Sequence, residues 1–87
     1  MIALSCKKEP SIAEHCTREI LPVHGRAYER ATDPGKAVVL RALRNDLRKE
    51  AARQQWYDFT VDEDGHRRVI KGPDGRPKLL IPEVMVG

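Results

Sequence analysis

The side chains suited to nucleophilic or metal chemistry are Cys6, Cys16, His15, His24 and His66. Sulfur and imidazole are the usual zinc ligands, but the chain holds no C-x2-C or H-x3-H pair. His15 and Cys16 are adjacent, which on a helix turns them about 100° apart. Cys16 falls on an apolar stripe, where a cysteine behaves as a small buried hydrophobe. A thiol nucleophile for Cys16 needs a base such as His24 or His66 beside it, and nothing in the spacing brings them together. The carboxylates Asp62, Glu63 and Asp64 crowd a turn and lack the spacing of a calcium loop. No glycine-rich phosphate loop is present. These patterns predict no catalytic residue, no metal site and no cofactor.

A different constellation remains. Arg41, Arg44 and Arg48 lie on one predicted helix, and none has an acid three or four positions away. Only those spacings make neighbours on a helix, so these charges meet an acid elsewhere in the fold, a partner or water. They fall within an arc of about 60°. By contrast Lys49 has Asp46, and Arg53 has Glu50, three residues earlier. Asn45 and Gln55 adjoin the arginine face, and Asn and Gln carry the donor and acceptor pattern that reads adenine in a major groove. A helix followed by a hairpin also suggests a winged helix with Arg67, Arg68 and His66 on the wing, although an acidic Asp62–Asp64 tip repels phosphate.

The elements that position these residues follow from local chemistry. Ser11 and Glu14 match a capping box, and Ile12, Cys16 and Ile20 give an inward stripe, so a first helix is expected to end near Leu21 and Pro22. His24-Gly25 reads as a break and Arg26 to Ala31 as a short second helix. Asp33 and Pro34 open a long helix over about 34–55, with Val39, Leu40, Leu43, Leu47 and Ala51 as its apolar stripe. From Tyr57 to Asp62 the pattern alternates, and Asp64-Gly65 is a two-residue hairpin signal. That loop pairs Asp62 with Arg67, Phe59 with Ile70 and Asp58 with Lys71. Gly72-Pro73-Asp74-Gly75 turns the chain again, and Lys78 to Ile81, bracketed by prolines, reads as a third strand at an edge. The fold class is therefore α+β, with two or three N-terminal helices and then an antiparallel hairpin or three-stranded meander. One domain spans 1–87, with 1–9 expected to fray and 83–87 to form a mobile tail.

The charge balance of +3 and 33% charged residues permit contact with nucleic acid but fall short of a histone-like balance. With only Trp56, Tyr57, Tyr28 and Phe59, the chain is poor in the stacking groups of a single-strand platform. Two cysteines argue against a disulfide framework, and the apolar start is too short for a leader or a span, so a cytoplasmic chain with reduced thiols and no membrane contact is expected. The reading that follows is a small non-enzymatic binding module. Its leading partner is DNA or RNA, met by Arg41, Arg44, Arg48, Asn45, Gln55 and Arg68. The alternative is a protein-binding inhibitor or adaptor, of the size of phage anti-defence proteins, docking on an acidic protein surface or nucleoprotein complex. A homodimer through Leu40, Leu43 and Leu47 is a further expectation.

Overall fold

The computed structural model describes residues 1–87 and is α+β, as the pattern predicts. Three helices, α1 (Pro10–Glu19), α2 (Leu21–Arg30) and α3 (Asp33–Gln54), lie between strand β1 (Ile2–Ser5) and strands β2 (Phe59–Val61), β3 (Arg67–Val69) and β4 (Glu83–Val86). No helix is long and apolar enough to cross a membrane.

The two chain ends depart most from expectation. Instead of fraying, β1 and β4 form an antiparallel ladder running from Ile2 opposite Val86 to Ser5 opposite Glu83. Alternating residues suit the pairing, since Ile2 is buried and Leu4 and Val84 pack on the core while Ala3 and Met85 face outward. The ladder covers one side of α1 and completes a core of Ile2, Cys6, Ile12, Ala13, Cys16, Tyr28, Leu43 and Leu47.

The helices also start and stop differently. Glu9 is the N-cap of α1 and Pro10 opens its first turn, so Ser11 lies inside the helix and the capping box does not form. Pro22 begins α2 rather than ending α1, because a first-turn residue has no intrahelical partner for its N–H. The break falls at Ile20, and α2 runs through His24 and Gly25. Leu43, Leu47 and Ala51 of α3 have no exposed surface. Leu43 and Leu47, two of the three residues expected at a homodimer seam, are thus consumed within the chain, and Leu40 packs half-buried against the same core. At its far end α3 stops in a Schellman motif, with the Trp56 N–H donating to the Ala51 carbonyl and the Gln55 N–H to that of Ala52. This requires Gln55 to adopt a left-handed φ of 59°.

The hairpin is one residue out of the expected register. Phe59 faces Val69, Thr60 faces Arg68 and Val61 faces Arg67. The cause is the Asp62 carboxylate, which accepts the Asp64 and His66 amides at 3.0 and 2.8 Å. It stabilises a three-residue loop with Gly65 at φ +82°, a turn with a glycine bulge, in place of the two-residue turn. The third segment forms isolated bridges, Pro77 with Lys71 and Leu79 with Tyr57, rather than a strand. Lys78 donates its N–H to Ile70 and accepts the N–H of Asp58, so it wedges between the two hairpin strands at their base. Beyond that base β3 is exposed throughout, and of β2 only Phe59 is buried. The hairpin stands off as an arm, and the radius of gyration is 14.6 Å against about 12 Å for a compact chain of this length.

Candidate basic interface

The helical wheel of α3 has two flanks beside its buried stripe, and they are treated very differently. On one flank Asp46 and Glu50 are held by α2 and α1. His24 Nε2 lies 2.6 Å from Asp46 Oδ2, and His15 Nε2 lies 2.7 Å from Glu50 Oε2. Arg53 adds Nε and Nη2 bonds to Glu50 at 2.7 and 2.9 Å. With the Arg53 and His15 bonds as the main causes, the Glu50 carboxyl is pulled from 4.5 down to about 2. The ring of His15 meets Trp56 edge-on at 5.4 Å. The expected Lys49–Asp46 pair is absent because a histidine 22 residues away takes the acid.

On the other flank Arg41, Arg44 and Arg48 are exposed. No acid of the fold reaches them. Asp58 is bound by Lys8 at 2.6 Å, and Asp62 by Arg68 at 3.0 Å. The Lys8 bond is the first cause of a lowered Asp58 pKa. The Asp62 pKa is lowered mainly by the His66 amide. Arg44 and Arg48 line an open groove of about 530 Å³ whose opposite wall is Ile81, Pro82, Glu83 and Val84. Two arginines on one wall therefore face Glu83 and apolar residues across a channel between α3 and the start of β4. Arg41 lies one turn toward the helix start, outside the groove, and Asn45 is exposed beside it.

Two other residues expected at this interface are elsewhere. Arg68 is not surplus charge, since Asp62 holds it. Gln55 leaves the helical path at its left-handed turn and lines a separate groove with Glu9, Ile12, Trp56 and Phe59. Extending the helical wheel one residue past the last helical turn is what misplaced it. Arg67 bonds Glu9 at 2.7 Å rather than Asp62, and its guanidinium stacks 4.4 Å from the centre of Phe59. The arm is thereby pinned to the segment before α1 by Lys8, Glu9 and Arg67, which sequence spacing had no means of showing.

The cysteines are buried and two of the three histidines are paired by hydrogen bonds. Cys16 is fully buried, and burial is the main cause that pushes its thiol up to about 11. Cys6 is also buried and unbridged. His15 and His24 face carboxylates, not the thiols. The one cluster whose ligand atoms lie within 4.8 Å of one another is Asp62, Asp64 and His66 at the arm's tip, where Asp62 already serves the loop and Arg68. In comparisons with known proteins, no family model, curated protein or solved structure matches this chain.

Proposed function

We propose that this chain is a non-catalytic binding module that docks on an acidic protein segment through the Arg41, Arg44 and Arg48 flank of α3. The observation that carries the reading is three exposed arginines on one helix face with no acid partner anywhere in the fold. Arginine sheds its hydration more readily than lysine and grips carboxylates with a planar fork, so such a face suits recognition rather than solubility alone. The apolar wall of Ile81, Pro82 and Val84 adds desolvated contact area that a phosphate backbone does not use. Binding rather than catalysis rests on the state of the reactive groups, a thiol raised to about 11 and two imidazoles tied to carboxylates.

A second reading, duplex nucleic acid, is favoured by Asn45 standing exposed among the same arginines. Arg68 no longer supports it, and the exposed Glu63 and Asp64 on the arm oppose a wing beside phosphate. Affinity capture from lysate with and without nuclease separates the two. The protein reading predicts a captured partner that resists nuclease and is lost from the Arg41→Ala/Arg44→Ala/Arg48→Ala variant. Capture that vanishes with nuclease favours nucleic acid, and equal capture by both proteins refutes the arginine face.

A further inference from the structure

We infer that the groove beside Arg44 and Arg48 takes an extended segment of alternating acidic and apolar residues, which adds as a third strand to the outer edge of β4. This rests on the acidic-partner reading and specifies the form of the partner.

The edge is open. Met1 and Gly87 exchange both backbone hydrogen bonds, at 3.1 and 3.2 Å, which fixes the phase of the ladder. Bonded pairs alternate with non-bonded pairs in an antiparallel ladder, so Ala3 with Met85 and Ser5 with Glu83 are bonded, and Val84 and Val86 point their N–H and C=O groups away from β1. Neither makes a backbone bond to a turn or loop. Natural sheets protect such edges with charges, prolines or covering elements. Here Pro82 and the charged Glu83 guard only the start of the strand, and Val84, Met85 and Val86 carry no charge.

The surroundings select the occupant. A strand added along β4 presents alternate side chains to its two faces. On the core-facing side it meets Val84 and, across the groove, Arg44 and Arg48. These arginines are about 6 Å apart along α3. Same-face side chains on a strand repeat every ~6.7 Å, so two acids spaced i and i+2 on a strand running along the groove match two guanidiniums. On the other face lie Met85, which is 52% exposed, and by strand alternation the side chain of Glu83, which also borders the groove and has no ion-pair partner. An apolar residue suits that face and a second acid does not. The resulting pattern is acidic, apolar, acidic, apolar, with main-chain bonds supplying affinity and the arginines supplying choice.

The test uses the full chain and three synthetic peptides, each about eight residues long by the span of the edge. The first alternates glutamate and valine, the second replaces glutamate by lysine, and the third is the glutamate peptide with alternate backbone nitrogens methylated. Expected results are saturable binding of the first peptide alone, exchange protection of the Val84 and Val86 amides, and about tenfold or greater weakening in the Val86→Pro variant. Val86 is in a non-bonded pair with Ile2, so this proline leaves the β1 ladder intact. If the methylated peptide binds equally and Arg44→Ala/Arg48→Ala loses both, strand addition is overturned while the acidic-partner reading stands. If the arginine variant binds the glutamate peptide as well as wild type does, the underlying reading falls as well.

Discussion

Replacing Glu50 by glutamine tests the contact that clamps α3 to α1. Glu50 ties α3 to α1 through His15 and is braced by Arg53, on the flank of α3 opposite Arg41, Arg44 and Arg48. Its carboxyl is lowered from 4.5 to about 2, led by the Arg53 hydrogen bond. Taken whole, that difference corresponds to about 3 kcal/mol. Arg53 is 67% exposed, and solvent screening of such a pair reduces the contribution to roughly 1–2 kcal/mol. The sign follows from linkage. A depressed carboxylate stabilises fully above the unfolded value of 4.5, and this stability is lost as pH falls toward 2. Urea unfolding of wild type and Glu50→Gln across pH 3 to 7 should give a difference of roughly 1–2 kcal/mol near neutrality that shrinks by about half or more at the acid end. A difference that stays constant or grows on acidification refutes the role assigned to Glu50.

Other outcomes follow from single contacts. Leu47→Ala empties a site with no exposed surface and should destabilise by about 2–5 kcal/mol in urea unfolding. Gln55→Gly relieves the left-handed φ of 59° and should stabilise by roughly 0.5–1 kcal/mol, read as a higher urea midpoint. Cys16 should resist alkylation in the folded protein and react only as urea exposes it, because burial raises its thiol to about 11. Arg68→Ala should leave partner capture unchanged, since its guanidinium is held by Asp62.

What the sequence made legible was local. Apolar spacing identified α3 and its buried residues Leu43, Leu47 and Ala51, and the change to alternation located the hairpin. The missing i±3 and i±4 acids correctly marked Arg41, Arg44 and Arg48 as unpaired along the helix, and no distant acid altered that. Features decided by distant or side-chain chemistry were hidden. The β1–β4 ladder joins segments about 80 residues apart, with no turn signal between them to mark them as partners. The hairpin register turned on one carboxylate accepting two amides, and Asp46 was claimed by His24 from another helix. Gln55 offered no hint of a left-handed position that glycine usually fills.

The arginine face is tested most directly by a charge-matched pair of variants. One reverses Arg41, Arg44 and Arg48 to glutamate. The other reverses Arg26, Arg30 and Arg76, which are also exposed and without an ion-pair partner. Both have the same net charge, so non-specific attraction to polyanions changes equally. Titration against the nuclease-resistant partner, or the alternating glutamate–valine peptide, should show binding lost from the first variant and retained by the second. Equal loss from both would mean that bulk charge, not the α3 face, draws the partner.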